Sequence, residues 1–325
     1  MKILIKKAVK EAIFAYLEKR GTTKFRRHKI DHRFISETVG LLRSLAGKVD
    51  AISISEPIDE VWKSFQREFI NQISEASLPS FLRLPIIQET MFANFAPYLV
   101  KEHLYVRSKI KRNSRLAELT IEDGVGTPIP FLFDTASSGN LIHGVYHLLR
   151  FEEFANVSSA ELDRVVEFGG GYGSLCRVLY RAGFRGSYWI HDLPMFSLLQ
   201  VFFLRTVGFD VVHEPLISDV SRHEGITCFN KVAKGVYPGK GQAGKTLYIA
   251  TWSLSEVGLK YRTEQEEIMN DSSYFLIAFC ESLEGFDNLA YFKAIAEQRK
   301  DIAWQIVEIP HMRKSYYMFG RPVAP

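Results

Sequence analysis

The stretch that most constrains this chain runs from Val165 to Pro194, VVEFGGGYGSLCRVLYRAGFRGSYWIHDLP. A short apolar run leads into four glycines within five positions. Apolar residues at spacings of three and four then predict a helix that is closed by Gly183. A second apolar run ends in His191 and Asp192. Strand, glycine turn, helix, strand and acid in this order predict a nucleotide-binding βαβ unit.

The glycine turn has a physical role in such a unit. A ligand that lies across a strand-to-helix turn needs close approach to the backbone, which a Cβ atom would obstruct. Asp192 follows about 20 residues later, where a carboxylate accepts hydrogen bonds from ribose hydroxyls. The dinucleotide pattern G-x-G-x-x-G/A fits in neither frame, because Ser174 or Cys176 occupies its last position. This mismatch disfavours a nicotinamide-dependent dehydrogenase.

The pattern that does fit is an acid followed by glycines at alternate positions: Glu167, Gly169, Gly171 and Gly173. It resembles motif I of the class I S-adenosylmethionine-dependent methyltransferases. The resemblance implies S-adenosylmethionine as the cofactor. An acid suits this cofactor, because its methionine end carries an ammonium group and no pyrophosphate. Tyr172, inside the turn, is then expected to lie over the cofactor.

Length and composition point to an ordinary globular protein. The chain has 325 residues, 46% hydrophobic and 24% charged, which leaves room for one large domain and a smaller one. Its three cysteines are far apart and form no C-x-x-C pair, which argues against a zinc site and is typical of a reducing compartment. The first 20 residues are interrupted by lysines, unlike a signal peptide, and no apolar run reaches the length of a membrane span. We therefore expect a cytoplasmic protein.

The charge is distributed unevenly along the chain. Residues 1–50 hold 13 Lys and Arg against 5 Asp and Glu, whereas the other 275 residues hold 28 against 32. The basic end is a candidate contact for an anionic membrane, at the inner face of the cytoplasmic membrane, or for an acidic glycan. A solvated helical surface is the alternative. No nucleic-acid-binding signature accompanies the basic residues, so no nucleic-acid partner is predicted.

Residues 1–133 are predicted to form an all-helical N-terminal domain. Apolar residues at helical spacing occur in residues 2–19 and 34–46, and prolines divide residues 78–100 into short helices. A further helix carries the stripe Ile58, Trp62, Phe65 and Phe69, which is expected to be core. A charged and then Gly/Pro-rich stretch up to residue 133 marks the boundary. This domain is expected to cover an acceptor site, to contact a membrane or glycan, or to mediate homodimer formation.

Residues 134–325 alternate between strand and helix patterns. A helix is predicted from Ser137 to Leu149, and apolar strands follow, among them Phe209–His213 and Leu247–Ala250. Trp304–Ile309 and Tyr316–Phe319 complete the chain as a β-hairpin. The predicted fold class is α/β, a doubly wound, Rossmann-like and mostly parallel sheet with a terminal β-hairpin, preceded by helices. Ligands bind such sheets beyond the carboxyl ends of the strands.

Five segments carry more specific information than the glycine turn alone. They are SSGNLIHGVYHL (137–148), VVEFGGGYGSL (165–175), HDLP (191–194), TWSLSEV (251–257) and SYYMFGRP (315–322). Together they resemble a family of bacterial sugar O-methyltransferases over roughly residues 134–325. The resemblance implies methylation of a sugar hydroxyl, in surface polysaccharides such as O-antigen or capsule. The cofactor-binding residues are then expected to be Glu167, Gly169, Gly171, Tyr172, Gly173, Asp192, Leu193, Thr251 and Trp252.

The candidate acceptor site has two possible bases. Plant small-molecule O-methyltransferases have similar segments after strands two and four. The histidine that acts as their catalytic base corresponds to Ser255 in this chain. That histidine is therefore absent here, and Glu256 and His143 are the candidates for the base. The remaining acceptor-binding candidates are Asn140, His147, Ser255 and Tyr316.

Three further interpretations stay open at the level of the sequence. His143 and His147 are spaced as i and i+4 and can share a metal ion, but no carboxylate nearby completes a ligand set, so no metal is predicted. His191 is expected to pack in the sheet.

The acceptor can also be another small hydroxylated metabolite, or the protein can be an inactive module that binds the cofactor.

Overall fold

The computed structural model describes residues 16, 24–51, 56–91, 97–111, 114–217, 224–232 and 244–323. Apart from Tyr16, the predicted helix over residues 2–19 lies outside these ranges. None of the helices in these ranges is long and apolar enough to cross a membrane.

Short helices precede the sheet, as the sequence predicts. Two of them begin with proline, at Pro57 and Pro85. Proline is favourable there because the N–H group of the first helical residue has no hydrogen-bond partner within the helix in any case. Asp31 caps the first helix by accepting a hydrogen bond from the Arg33 amide at 2.9 Å. The helices are α1 (His32–Ser44), α2 (Ala46–Asp50), α3 (Pro57–Gln72), α4 (Pro85–Thr90) and α5 (Tyr98–Ile110), with 3₁₀ turns at Leu78–Arg83 and Ser114–Thr120.

The strands of the described residues build one large sheet and two short pairs. Pro130–Phe131 (β1) pairs with Asp134–Ser138 (β2), and Ser282–Leu283 (β9) pairs with Phe286–Asp287 (β10). The strands of the large sheet are β3 (Arg164–Phe168), β4 (Ser187–His191), β5 (Val211–Ile217), β6 (Ile226–Val232), β7 (Thr246–Thr251), β8 (Tyr274–Cys280), β11 (Ile302–Glu308) and β12 (Ser315–Pro322).

The large sheet has the order β11-β12-β8-β7-β3-β4-β6-β5. β12 pairs antiparallel with both β8 and β11, whereas the other pairs of this sheet are parallel, and β11 and β12 form the predicted hairpin at the end of the chain. The chain moves from β3 outward to β4 and later returns to β7 on the other side of β3. The predicted α/β class, with a mostly parallel sheet and a terminal hairpin after N-terminal helices, is confirmed. The order reverses beside β3, which is where ligands bind in open sheets of this type.

Helices cover both faces of the sheet, because successive side chains of each strand point to opposite faces. Val165 and Val166 of β3 are both fully buried but belong to two different hydrophobic clusters. The cluster of Val165 also contains side chains of α1, α3 and the Leu78–Arg83 turn, so the N-terminal helices share a core with one face of the sheet. The helices of the α/β part are α6 (Gly139–Ala155), α7 (Ser174–Ala182), α8 (Pro194–Thr206), α9 (Leu259–Asn270) and α10 (Asn288–Gln298).

A buried ionic cluster joins the N-terminal part to α7. Asp123 is fully buried and accepts hydrogen bonds from Arg177 and from Arg181, the latter at 2.6 and 2.9 Å. His28 Nε2 lies 2.6 Å from the same carboxylate. Burial alone would raise the pKa of Asp123, but the hydrogen bonds from Arg181 and the charge of Arg177 outweigh burial and lower it to about 2. Part of the basic N-terminal stretch is thus engaged internally, while Arg27 remains exposed.

We expect Asp123→Ala to lower the free energy of unfolding by about 3–5 kcal/mol, because it leaves the buried Arg177 without its shortest ion pair. Urea denaturation measures this change. Because the pKa of Asp123 is lowered, its contribution is present above the unfolded value of about 3.9 and is lost as the pH falls towards 2. Glu118→Ala is the matched control, since Glu118 pairs with Arg26 at the surface, and it should cost at most about 1 kcal/mol. Equal costs for the two variants would contradict a stabilising role of the cluster.

Candidate active site

A cavity of about 1390 Å³ lies at the carboxyl ends of β3, β4, β6 and β7. The N-terminal helices α1, α3 and α4 form one wall of it, through residues that include Leu41, Trp62 and Glu89. The other walls come from α6, from the glycine turn and from the loop after β7. The cavity thus occupies the position at which the order of the strands reverses.

The glycine turn adopts a backbone that other residues rarely take. Gly169, Gly171 and Gly173 have φ values of 71°, 59° and 89°. A Cβ atom at Gly169 would lie 2.2 Å from the Cβ of Ser253, on the loop after β7. At Gly171 such an atom would meet nothing closer than the Met91 Sδ, at 3.5 Å. The turn therefore packs tightly against the β7 loop at its start and has more space around Gly171.

Asp192 follows β4 and is fixed at the edge of the cavity. Its Oδ2 accepts hydrogen bonds from the Gly171 amide at 3.2 Å and from the Gln200 side chain at 2.7 Å. Its Oδ1 accepts one from the Leu193 amide at 2.8 Å. Burial raises the pKa of Asp192 to about 7 despite these hydrogen bonds. The carboxylate is therefore held in one orientation, and the further lone pairs of its two oxygens can accept hydrogen bonds from a ligand.

Glu167 lies on β3 beneath the glycine turn. Its side chain is buried, and Tyr188 donates a hydrogen bond to its Oε2 at 2.9 Å. Burial, together with the nearby charge of Asp192, raises the pKa of Glu167 to about 8. Within the described residues no cation pairs with this carboxyl group. A cationic ligand group at this end of the cavity would favour its ionised form.

The loop after β7 is held in a strained conformation. Trp252 has φ 72° and ψ −38°, which costs a residue with a side chain on the order of 1–3 kcal/mol. Its amide donates a hydrogen bond to the Ala278 carbonyl at 2.7 Å, and Ser253 Oγ donates one to the Phe168 carbonyl. Thr251 and Trp252 line the cavity as cofactor-binding candidates. Ser255 is fully buried behind the wall and donates a hydrogen bond to the Trp252 carbonyl at 2.6 Å.

Glu256 ends this loop and presents a carboxylate to the cavity. Burial raises the pKa of Glu256 to about 7. Within the described part of the chain, no group donates a hydrogen bond to this carboxylate. Its backbone carbonyl accepts one from Trp62 Nε1 at 2.7 Å. Above about pH 7 the side chain is therefore available to accept a proton from a ligand.

His143 belongs to a buried polar chain that the sequence did not indicate. Its Nδ1 lies 2.8 and 3.0 Å from the carboxylate oxygens of Glu102, on α5. Its Nε2 lies 3.0 Å from Nε2 of His147, whose Nδ1 lies 2.5 Å from the hydroxyl of Tyr317. Glu102 also lies 3.0 Å from His311 Nε2. Both ring nitrogens of His143 are therefore engaged within the protein.

The four side chains Tyr317, His147, His143 and Glu102 can be connected by hydrogen bonds that all run in one direction. Burial lowers the pKa of His147 well below its usual range and raises that of Tyr317, so His147 is neutral and the Tyr317 hydroxyl keeps its proton. These states fit an arrangement in which Tyr317 donates to His147, His147 donates to His143, and His143 donates from Nδ1 to Glu102. In this arrangement His143 has no lone pair left for a substrate proton. No group of three or more His, Cys, Asp or Glu in the described ranges is placed to hold a metal ion.

The other predicted site residues are not all near the cavity. Asn140 Nδ2 donates a hydrogen bond to the Tyr172 hydroxyl at 2.8 Å, and the Tyr172 ring packs against Phe203, with 4.9 Å between centroids, as part of the core. Tyr316 lies outside the cavity, because it faces Glu281 on the opposite side of the sheet from Tyr317. The predicted site residues that line the cavity are Asn140, His143, His147, Glu167, Gly169, Gly171, Tyr172, Asp192, Leu193, Thr251, Trp252 and Glu256; Gly173, Ser255 and Tyr316 do not.

Two further polar residues support the site from behind. His191 packs in the sheet with its ring nitrogens 2.9 Å from the Gln265 side chain and 3.0 Å from the Asn230 carbonyl. Burial lowers the pKa of His191 to about 4, so it stays neutral. Gln200, which the sequence analysis did not single out, donates to Asp192 from α8. The sequence does contain an indication of its role, because Gln200 is a polar residue within the apolar run SLLQVFF, and the structure buries it fully.

Comparison with protein-family models and with curated protein sequences gives no match. Among solved structures, the SAH-bound methyltransferase PaMTH1 of Podospora anserina is 10% identical, with a TM-score of 0.34 over 73% of this chain and 92% of that one. The SAM-bound magnesium protoporphyrin IX methyltransferase of Synechocystis is 14% identical, with a TM-score of 0.36 over 70% and 100%. A point mutant of MtNAS is 12% identical, with a TM-score of 0.38 over 91% and 99%. Identities of 14% or less and TM-scores below 0.4 do not support an inference about the chemistry of the site from these structures.

The raised pKa of Glu167 predicts a loss of stability with rising pH. The folded value of about 8 exceeds the unfolded value of about 4.3, so the folded state holds an extra proton between them and the free energy of unfolding falls as the pH rises through this range. We expect Glu167→Gln to flatten this decline by a few kcal/mol, at about 1.4 kcal/mol for each unit of pKa. Chemical denaturation between about pH 5 and pH 8 measures it. Glu297→Gln, on the exposed face of α10, should follow the parent protein throughout, and a Glu167→Gln curve parallel to both would disprove the shift.

Proposed function

We propose that this protein is an S-adenosylmethionine-dependent O-methyltransferase that acts on a sugar hydroxyl. The observation that carries the proposal is the arrangement of Glu167, the Gly169–Gly173 turn and Asp192 around one end of the cavity. Both carboxyl groups, the buried Glu167 and the half-buried Asp192, have raised pKa values and no cationic partner in the described residues. S-adenosylmethionine brings a ribose and two positive charges, and these suit the two groups.

The residues of this end have separate roles in holding the cofactor. Asp192, oriented by Gly171 and Gln200, would accept hydrogen bonds from the ribose hydroxyls. The space around Gly171 permits close approach to the backbone. Glu167 favours the positive methionine end. When bound, the cofactor supplies an electrophilic methyl group, so much of the remaining task is to place an acceptor oxygen in line with it.

The remainder of the cavity suits a small polyhydroxylated acceptor. Apart from Glu167 and Asp192, its described lining holds five carboxyl groups and three lysines, which disfavours a polyanion such as RNA. Carboxylates accept hydrogen bonds from hydroxyl groups, and flat aromatic rings offer apolar surface to the face of a sugar. The aromatic lining residues include Trp62, Tyr98, Phe196, Trp252 and Tyr261.

The N-terminal helices have a natural place in this proposal. They form the wall of the cavity that faces the loop after β7, and so they would cover the acceptor. The exposed Arg27 and Lys29, at the basic end, would bring the enzyme to an anionic membrane or an acidic glycan on the cytoplasmic side.

Glu256 is the better candidate for the base. Its carboxylate faces the cavity without an internal partner among the described residues, and its pKa of about 7 suits proton transfer near neutral pH. His143, by contrast, has both ring nitrogens engaged by Glu102 and His147. We therefore assign proton removal from the acceptor hydroxyl to Glu256 and a structural role to His143.

Glu256→Gln should lower methyl transfer by about 10²–10⁴-fold while the affinity for the cofactor stays the same. In the parent protein the rate should rise with pH through about 7, because the carboxyl group must lose its proton, and the variant should lose this rise. Radiolabelled methyl transfer measures the rate and calorimetry the affinity. His143→Gln is the comparison: if it removes the pH dependence while Glu256→Gln keeps full activity, the assignment is wrong.

The acceptor can be identified by mass spectrometry of surface glycans from cells with and without the gene. We expect one sugar to lose a methyl group, and the purified protein to restore it with S-adenosylmethionine. Loss of a methyl group from another hydroxylated metabolite would move the proposal to that acceptor. Cofactor binding without turnover on any acceptor would point to an inactive module, and no cofactor binding would refute the proposal as a whole.

A further inference from the structure

We propose that α3 and its N-cap residue Glu56 position Glu256 for proton transfer, through one hydrogen bond from Trp62 and one accepted by Glu56. The inference rests on the role proposed above for Glu256. It assigns a part in the reaction to residues that do not touch the reacting atoms, and so they are positioning residues.

The first contact fixes the peptide plane of Glu256. Trp62 Nε1 donates its only hydrogen bond to the Glu256 carbonyl at 2.7 Å. The indole is itself held by edge contacts with Phe65 and Phe196, with centroid distances of 5.6 and 6.3 Å. Since the carboxylate of Glu256 has no partner in the described residues, its direction depends on this backbone.

The second contact fixes the start of α9, three residues after Glu256. Glu56 Oε1 accepts a hydrogen bond from the Leu259 amide at 2.8 Å. Leu259 is the first residue of α9, so its amide has no partner within the helix, and a carboxylate at this end is also favoured by the helix dipole. The loop that carries Glu256 is thus held by α3 at two points.

Gly258 gives independent support for this contact. Its φ of −69° is one that any residue can adopt, so the backbone does not require glycine here. A Cβ atom at this position would lie 2.4 Å from Glu56 Oε1. The absence of a side chain is therefore what allows Glu56 to reach the Leu259 amide.

The other side of the loop is held by the α/β part alone. Arg262 donates hydrogen bonds to the Val257 carbonyl at 2.8 Å and to the Ser255 carbonyl at 3.1 Å. These contacts anchor the loop to α9, but they leave the cavity side of Glu256 to Trp62 and Glu56. The helix that positions the proposed base, α3, is therefore also part of the wall that would cover the acceptor.

The test uses the full chain with Trp62→Phe, Gly258→Ala and Arg67→Ala, the last being a surface control on α3. We expect the first two variants to lower kcat by roughly 10- to 100-fold with little change in cofactor affinity, because small misplacements of a reacting group have effects of this size. Arg67→Ala should leave kcat unchanged. Equal kcat for all three variants and the parent would overturn the proposal.

Two combinations separate positioning from a general loss of structure. In a Glu256→Gln background, Trp62→Phe and Gly258→Ala should lower kcat no further, whereas a merely structural role would lower it again. In a Glu56→Ala background, Gly258→Ala should cost little, because its steric partner is gone. Additive losses in both combinations would refute the inference.

Hydrogen exchange gives a readout that does not need methyl transfer. The amides of residues 253–260 should exchange faster in Trp62→Phe and Gly258→Ala than in the parent protein, with the unfolding midpoint nearly unchanged. If exchange is faster in the variants but the parent protein methylates no acceptor, the proposed function is wrong, whereas the stabilisation of the Glu256 loop by Trp62 and Glu56 is supported. Unchanged exchange together with normal turnover would sink the positioning role alone.

Discussion

The close contact between the glycine turn and the loop after β7 governs the geometry of the whole site. Gly169 leaves no space for a side chain because Ser253 occupies it, and Ser253 binds the carbonyl of Phe168 at the end of β3. This contact joins the strand that carries Glu167 to the loop that carries Glu256. Any ligand held by the turn therefore lies at a fixed distance from that loop. The strained backbone of Trp252 is the cost of this arrangement, and the hydrogen bond from its amide to Ala278 helps to maintain it.

Buried acids serve two different purposes in this chain, and their partners distinguish them. Asp123 is surrounded by Arg177, Arg181 and His28, so its charge is compensated and its pKa is lowered. Glu167, by contrast, is buried without such a cation in the described residues, and its pKa is raised. The first arrangement holds the fold together, since it joins segments that are distant in the sequence. The second keeps a buried carboxyl group protonated near neutral pH, and a cationic ligand would favour its ionised form, which is why it marks the candidate site.

The sequence predicts most of the fold and indicates the candidate cofactor-binding residues, because both depend on local patterns. The turn and its flanking strands, β3 and β4, lie within one stretch of chain. Their spacing alone therefore places Glu167, on β3, close to the end of β4, which Asp192 follows. The acceptor half depends on contacts between residues that are far apart. Helical periodicity places Trp62 on the buried face of α3, but it does not reveal that the indole reaches Glu256, 194 residues away. Alternation along β12 shows that only one of Tyr316 and Tyr317 faces α6, and the choice needs the packed structure.

The buried polar side chains Glu102, His143, His147 and Tyr317 connect α5, α6 and β12 and have a structural role. A directed row of hydrogen bonds from Tyr317 to Glu102 requires a neutral His147, and burial ensures that it stays neutral. A row that is satisfied at every member adds specificity to the packing of α5, α6 and β12, and it keeps both ring nitrogens of His143 engaged within the protein. In the proposed reaction, we therefore assign proton transfer to a group that the protein leaves unpaired. Glu256 is such a group among the described residues, and the N-terminal helix holds it through its backbone while its carboxylate remains open to the acceptor.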